Sequence, residues 1–106
     1  MTKSKRKSPA AQSGVARAAP VAGETYYTAQ AKEDLVWWRK HNPKVLVRIE
    51  VLIADIRRNP FAGMGKPEPL KHEWQGYWSR RITEEHRLVY RLEAGTLYIA
   101  QARYNY

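Results

Sequence analysis

The sequence contains no cysteine, so disulfide bonds and thiolate metal sites are excluded. Its three histidines, His41, His72 and His86, lack the close spacing of a zinc motif. No apolar run approaches the roughly 18 residues of a membrane span, and the N-terminus lacks the apolar stretch of a secretory signal. We therefore expect a soluble, cytoplasmic protein with no membrane association, no metal site and no cofactor.

Acidic residues are scarce as well. The 10 Asp and Glu residues stand against 19 Lys and Arg residues, which gives a formal net charge of +9. Residues 1–24 contribute +4 (5 basic, 1 acidic), and residues 25–106 contribute +5 (14 basic, 9 acidic). A basic balance favours a polyanionic partner, either nucleic acid or an acidic protein, by long-range attraction and counterion release.

Large apolar side chains are almost absent from residues 1–24, which combine Lys, Arg, Ser, Ala, Pro and Gly. Such a segment cannot offset the entropy cost of becoming ordered. We predict a disordered basic tail over residues 1–24 and one small domain over residues 25–106, a length that leaves room for a modest core.

Local signals in the first half of this domain predict one strand and two helices. Thr25-Tyr26-Tyr27 is β-prone, and Thr28 suits the N-cap of a helix that extends to about His41. Asn42-Pro43 starts a second helix, which Asn59-Pro60 stops. The apolar residues of the second helix fall on one stripe: Val45, Ile49, Leu52, Ile53 and Ile56.

In the second half the apolar period changes to two, which predicts strands over residues 77–83, 86–92 and 96–104. The short connections between them fit antiparallel hairpins. We therefore expect an α+β fold of element order β-α-α-β-β-β, in which a small antiparallel sheet carries both helices on one face.

Charged side chains converge on this sheet. Alternation in the middle strand predicts an apolar face and a basic face, formed by Leu88, Tyr90 and Leu92 and by Arg87, Val89 and Arg91, respectively. Arg81 can approach Arg87 from the preceding strand, and Arg103 approaches the sheet from the final one. Glu68, held on stiff backbone between Pro67 and Pro69, enters from a loop.

Chemistry alone leaves two interpretations of these residues open. An RNA strand carries its own nucleophile, the 2′-hydroxyl, so its cleavage needs a base, cations that stabilise the phosphorane, and an acid for the 5′-oxygen. Glu68 would be the base, and Arg87 with Arg81 the cationic clamp. In the other interpretation the arginines form a solvated sheet face that pairs with nearby glutamates, Arg80, Arg81, Arg87 and Arg91 with Glu84, Glu85 and Glu93.

The same stretch resembles the YoeB/Txe-type toxins of the RelE superfamily. The resemblance runs from about Thr25 to Tyr106 and is most specific in Pro60-Phe61, in GKPEPLKH (65–72), in YWSRRITEEHRLVY (77–90) and in Arg103-Tyr104. It implies a RelE-like β-α-α-β-β-β ribonuclease toxin of a type II toxin–antitoxin system. Such a toxin cuts mRNA in the ribosomal A site and has a YefM/Phd-type acidic antitoxin as its partner. A homodimer is a further expectation.

The resemblance also implies roles for individual residues. Glu68 matches the general base of the family, Arg87 and Arg81 match its phosphate-stabilising arginines, and Tyr106 matches its functional C-terminal tyrosine. Lys71 matches a basic residue that lines the same pocket. The other residues predicted to bind substrate lie at the end of the chain: Arg103, Tyr104 and Asn105.

Asn105 departs from the family pattern, which has a general-acid histidine at this position. Losing a general acid typically costs a factor of about 10² to 10⁴ in rate. Three outcomes remain open: Tyr104 or Tyr106 supplies the proton, Asn105 only hydrogen-bonds the leaving phosphate, or the protein is an attenuated toxin that binds RNA, ribosome or antitoxin without cutting. A ParE-like toxin that targets gyrase is an enzyme-free alternative, against which the intact base and arginines argue.

Overall fold

A computed structural model describes residues 19–105, which form two helices and five strands. Tyr106 and residues 1–18 of the predicted tail lie outside the described residues. The elements in chain order are β1 (Thr25–Tyr27), α1 (Ala29–His41), α2 (Pro43–Arg58), β2 (Glu68–Pro69), β3 (Trp78–Arg81), β4 (Arg87–Glu93) and β5 (Thr96–Gln101). A 3₁₀ turn at His72–Trp74 separates β2 from β3. No helix in this part of the chain is long and apolar enough to cross a membrane.

Both helices begin and end where the local signals predict. The Thr28 hydroxyl oxygen accepts the Ala31 N–H at 3.1 Å, which caps α1. The same hydroxyl donates to the Ala100 carbonyl at 2.7 Å, so the cap also ties α1 to β5. Pro43 opens α2, and the Asn59 N–H closes it on the Asp55 carbonyl at 3.0 Å.

The sheet is mixed, with strand order β1-β5-β4-β3-β2. The α+β fold is confirmed, but the sheet is not purely antiparallel, because β1 pairs with β5 in parallel. β1 reaches β5 only after the long excursion through both helices, and long crossovers of this kind permit parallel pairing where short hairpins do not. Glu68 also differs from its expected place in a loop, since it belongs to the two-residue strand β2.

The core lies between the two helices and one face of the sheet, as expected. Each fully buried Leu or Ile stabilises the fold by about 1.5–3 kcal/mol relative to an exposed position. The cluster consists of Ala31, Trp38, Ile49, Leu52, Ile53, Ile56, Ile82, Leu88, Tyr90, Leu97, Ile99 and Ala102.

A bulge in β5 changes which side chains face the core. Tyr90 pairs with Ile99, whereas the preceding Val89 pairs with Gln101, so Ala100 is an extra residue. The shift places Gln101 beside Val89 on the face away from the helices, while Ala102 returns to the core. β5 ends at Gln101, three residues earlier than predicted.

The chain is hydrogen-bonded from Val21 onward, before the predicted domain start at residue 25. The Val21 N–H donates to the Arg57 carbonyl at 2.8 Å, and the Gly23 N–H donates to the Gly95 carbonyl at 3.0 Å. The Arg57 guanidinium in turn donates to the carbonyls of Val21 and Gly23 at 3.2 and 2.6 Å. Residues 21–24 are therefore attached to α2 and to the β4–β5 hairpin.

Candidate active site

A buried arginine organises the loop that leads into the site. Arg80 is 0% exposed, and its guanidinium makes five hydrogen bonds of 2.6–3.2 Å. Its partners are the Asp55 carboxylate, the Tyr90 hydroxyl and the carbonyls of Asn59, Ala62 and Met64. All five N–H groups of a guanidinium are thereby used, and the loop between α2 and β2 is attached to β3. The interpretation that put Arg80 on a solvated face is wrong.

Two ionisable partners of this arginine have perturbed pKa values. Burial by itself would raise the pKa of Asp55, but hydrogen bonds from the Met64 N–H, Arg80 and Arg58 outweigh burial and lower that pKa below its ordinary value. Burial raises the pKa of the Tyr90 hydroxyl, which donates to the Pro60 carbonyl at 2.6 Å. Both shifts favour the protonation states that hold the loop in place at neutral pH.

The next part of the loop lies tightly against β3. Gly65 has φ +79°, and a Cβ atom there would lie 3.1 Å from the Arg81 carbonyl oxygen and 3.1 Å from a Leu52 methyl. The Arg81 N–H donates to the Gly65 carbonyl at 2.7 Å. A glycine is therefore needed at this position, and the close approach brings Lys66 and Glu68 over the outer face of the sheet.

Strand register sets the order of the polar residues on that outer face. Glu68 pairs with Ser79, Ser79 with Val89, and Val89 with Gln101, which makes one cross-strand row. Arg81 pairs with Arg87 in the adjacent row. We call Glu68, Ser79, Val89 and Gln101 the carboxylate row. The constrained carboxylate and the two arginines thus lie on neighbouring rows of one face.

Glu68, Ser79 and the two arginines line one cavity of about 290 Å³. Four of the predicted site residues meet there, namely Glu68, Arg81, Arg87 and Asn105. The other two lining residues, Lys66 and Ser79, were not among the predicted site residues. Period-two alternation could have found Ser79, because it lies two residues before Arg81 on the same strand, whereas Lys66 enters only through the tight loop.

The two arginines of the cavity are free to bind an anion. One nitrogen of the Arg87 guanidinium donates to the carbonyls of Thr83, Glu84 and His86 at 2.9–3.1 Å, which orients the side chain. Within residues 19–105, no carboxylate forms an ion pair with Arg81 or Arg87. The proposed pairing of the sheet arginines with Glu84 and Glu85 is therefore wrong, although Arg91 does pair with Glu93.

Lys71 lies on the other side of Glu68. A second cleft, of about 350 Å³, is lined by residues 68–74 and includes Lys71, His72 and Trp74. Glu68 is shared between this cleft and the cavity with the arginines. No group of three or more His, Asp or Glu side chains within the described chain could hold a metal ion.

Arg103 and Tyr104 lie beside the cavity and not in it. The Arg103 guanidinium lies 3.6 Å from the centre of the Trp37 ring and 4.4 Å from that of Tyr104. The Tyr104 N–H donates to His86 Nδ1 at 2.7 Å. With Asn105 they line a third cleft of about 240 Å³, so Asn105 links the two spaces. Tyr106, predicted to be catalytic, lies outside the described residues.

Two groups attach this C-terminal segment to the core. The Asp34 carboxylate, 3% exposed, accepts the Ala102 N–H at 2.9 Å, and Trp38 Nε1 donates to the Ala102 carbonyl at 2.8 Å. Gln101 Nε2 donates to the carbonyls of Arg103 and Asn105, each at 3.4 Å. The position of Asn105 therefore depends on α1 and on the bulge in β5.

Comparison with known families agrees with this fold. Residues 27–106 match the family model of the YoeB-like toxin of bacterial type II toxin-antitoxin systems. Toxin YoeB of Streptomyces coelicolor is 55% identical over 80 residues, which cover 76% of this chain and 95% of that protein. Toxin YoeB of Escherichia coli K12 is 49% identical over 80 residues, with the same coverage of both chains.

Solved structures of YoeB toxins have folds similar to that of this chain. The YoeB/ParE toxin from Agrobacterium tumefaciens superposes with a TM-score of 0.76 at 43% identity, over 79% of this chain and 100% of that one. YoeB in a YoeB-YefM complex from Staphylococcus aureus gives a TM-score of 0.72 at 41% identity, over 77% and 95% of the two chains. A YoeB dimer from the same organism gives 0.73 at 39% identity, over 78% and 97% of the two chains.

Proposed function

Because the chain belongs to the YoeB-like toxins of bacterial type II toxin–antitoxin systems, we propose that it is a metal-independent endoribonuclease that cleaves mRNA in the ribosomal A site. The observation that carries the proposal is the cavity itself. It combines one carboxylate on stiff backbone with two arginines that have no carboxylate partner in residues 19–105. An RNA phosphodiester can supply the missing anion, and the 2′-hydroxyl of the adjacent ribose can supply the missing nucleophile.

In the proposed reaction, Glu68 is the general base and the two arginines stabilise the transition state. Glu68 takes the proton of the ribose 2′-hydroxyl, and the 2′-oxygen attacks the adjacent phosphorus. Arg81 and Arg87 stabilise the negative charge that develops on the phosphorane oxygens. The bond from phosphorus to the 5′-oxygen then breaks, which leaves a 2′,3′-cyclic phosphate on one fragment and a 5′-hydroxyl on the other.

The departing 5′-oxygen needs a proton, which an asparagine amide cannot provide. Among residues 19–105, Lys66 is the one lining side chain of the cavity that carries an ammonium group, and Tyr104 or Tyr106 is the donor predicted from the sequence. Tyr104 lines the neighbouring cleft instead. Asn105 would contribute a hydrogen bond to the leaving phosphate, while positioning and electrostatics supply much of the acceleration.

The partners follow from the family and from charge. We propose that a YefM/Phd-type acidic antitoxin neutralises the protein in the cytoplasm, and that the free toxin acts on mRNA held by the ribosome. The net charge of +9 favours both an acidic antitoxin and an RNA substrate. A homodimer is a further part of the proposal, since a YoeB from S. aureus forms one.

A second function is favoured by Asn105, which lines the cavity where the family pattern has a histidine. In this alternative the chain has lost cleavage and retains binding, so that it occupies the A site or sequesters antitoxin. The two arginines would then hold an RNA phosphate without chemistry. The two functions differ in one measurable step, the appearance of new RNA ends.

The experiment uses ribosomes programmed with an mRNA, and primer extension to map new 5′ ends. We expect the native chain to produce ends at the A-site codon, Glu68→Gln to produce none while binding normally, and Asn105→His to cleave faster. Cleavage by Glu68→Gln at the native rate would refute the assignment of the base. Cleavage by Asn105→His alone would establish the binding alternative, and gyrase inhibition without RNA cleavage would establish a ParE-like function.

A further inference from the structure

A second row of side chains crosses the outer face of the sheet beside the carboxylate row. The Tyr26 and Tyr98 ring centres lie 5.4 Å apart, and the Arg91 guanidinium lies 4.4 Å from the centre of the Tyr98 ring. The same guanidinium lies 5.8 Å from the Tyr77 ring, and Tyr77 meets Trp74 edge-on at 5.1 Å. We call these five residues the stacking row.

Strand register brings three members of the row together. Tyr26 pairs with Tyr98 across β1 and β5, and Tyr98 pairs with Arg91 across β5 and β4. The neighbours of Tyr98 in β5, Leu97 and Ile99, are core residues, so the Tyr98 ring faces away from the helices. Three members of the row are therefore fixed by the sheet, and Tyr77 and Trp74 extend it from the segment that precedes β3.

The stacking row lies next to the proposed catalytic residues. On β4, Arg91 follows Val89 of the carboxylate row by two positions, which is about 7 Å along a strand. At its other end, Trp74 lines the cleft that it shares with Glu68 and Lys71. A strand of RNA whose phosphate lies on Arg81 and Arg87 can thus extend from the cavity onto the stacking row.

We propose that the stacking row binds the bases of single-stranded RNA that flank the cleaved bond. This inference rests on the proposed nuclease function and names a further part of its substrate site. Sheet faces with exposed aromatic rings and arginine planes suit unpaired bases, since every base has a face that can stack. Tyr26 is 55% exposed, and the Tyr98, Tyr77 and Trp74 side chains are partly exposed.

The charge of the row favours bases over an acidic peptide. Arg91 already forms an ion pair with Glu93, so the row offers little uncompensated positive charge. An acidic antitoxin segment would gain more at Arg81 and Arg87, which have no carboxylate partner among residues 19–105. The row does offer exposed aromatic ring surface, on which RNA bases can stack.

Binding of a fluorescent 12-nucleotide RNA tests the proposal. Full 2′-O-methylation of this RNA removes the nucleophile, so the chain cannot cut it. We expect Tyr98→Ala to weaken binding about tenfold in an anisotropy titration, and Tyr98→Phe, which keeps the ring, to bind like the native chain. Tyr26→Ala, at the exposed end of the row, should also weaken binding. Val47→Ala, an exposed change on α2, is the matched control and should have no effect.

Salt dependence separates stacking from charge. Loss of a stacked base leaves the phosphate contacts intact, so the slope of log Kd against log salt should be the same for Tyr98→Ala and the native chain. No RNA binding by the native chain, native affinity in both alanine variants, or a loss confined to antitoxin binding would each overturn the proposal. If these variants bind normally while Glu68→Gln abolishes ribosomal cleavage, the stacking row is refuted and the nuclease stands. If RNA binding depends on Tyr98 but the native chain does not cleave mRNA on the ribosome, the nuclease function is refuted, and the stacking row remains as an RNA-binding site.

Discussion

Replacing Arg80 by methionine should be among the most destabilising single changes in this protein. The guanidinium is fully buried and bonds to one carboxylate, one hydroxyl and three carbonyls. Methionine fills part of the same volume but offers no donor. The change would leave the Asp55 carboxylate, the Tyr90 hydroxyl and the loop carbonyls without their shared partner.

The expected loss of folding stability depends on the partners that Asp55 keeps in the variant. Removing one partner of a buried ion pair typically costs about 3–5 kcal/mol, because the other charge stays behind. Asp55 keeps the Arg58 guanidinium at 2.7 Å and the Met64 N–H at 2.9 Å, and its side chain is 13% exposed. These partners place the expected loss near the lower end, about 3 kcal/mol. For a domain of this size that corresponds to a fall in Tm of roughly 12–24 °C.

Urea unfolding followed by tryptophan fluorescence measures this loss, and the chain supplies its own control. Arg58 pairs with the same carboxylate, at a similar distance, but its side chain is 69% exposed. Arg58→Met should therefore cost less than about 1 kcal/mol. The reasoning would be refuted if Arg80→Met cost no more than Arg58→Met. Because Arg80 also holds the loop before Glu68, Arg80→Met should lower the proposed RNA cleavage even where the variant is folded.

Three further outcomes are expected. The lowered pKa of Asp55 stabilises the fold at pH values above the unfolded-state pKa of about 3.9, and this stabilisation is lost as the pH falls through the folded-state pKa. The stability of Asp55→Asn should therefore depend less steeply on pH in the acid range than that of the native chain. The raised pKa of Tyr90 contributes stability below about pH 10 that is lost as the pH rises through its folded value, so Tyr90→Phe should flatten the alkaline limb of the same curve. Gly65→Ala should cost more in thermal unfolding than Gly76→Ala, because both residues have positive φ but only at Gly65 would a Cβ meet neighbours within 4 Å; equal costs would contradict the close approach of the loop to β3.

The helices and the site motif could be predicted from the sequence because their signals are local. Thr28, Pro43 and Asn59-Pro60 act on backbone within a turn of their own position, and the structure confirms both helix boundaries. Alternation in β4 likewise predicted the two faces of the sheet correctly, with Leu88 and Tyr90 in the core. Arg81 and Arg87 meet because the short connection between β3 and β4 pairs them directly, whereas Glu68 joins their cavity through the pairing of β2 with β3, which the sequence did not predict.

Other features depended on distant parts of the chain. β1 pairs in parallel with β5, some 70 residues later, and no residue near β1 indicates that partner. The bulge at Ala100 moves Gln101 from one face to the other, which alternation within β5 could not predict. Lys71 was expected in the same pocket as the arginines, but the turn after β2 carries it to a neighbouring cleft.

Arg80 and Arg81 show which features the sequence determined and which depended on the tertiary structure. The sequence by itself determined that adjacent strand residues face opposite sides, and it predicted a cationic site for an RNA phosphate in the segment around them. It did not determine that the arginine facing inward would be accepted there, since an unpaired guanidinium is strongly disfavoured in a core. Only the tertiary structure supplied Asp55, Tyr90 and three loop carbonyls, from positions 10 to 25 residues away in the chain. Burial of a charge depends on partners that converge in space, and their convergence is decided by the packed fold as a whole.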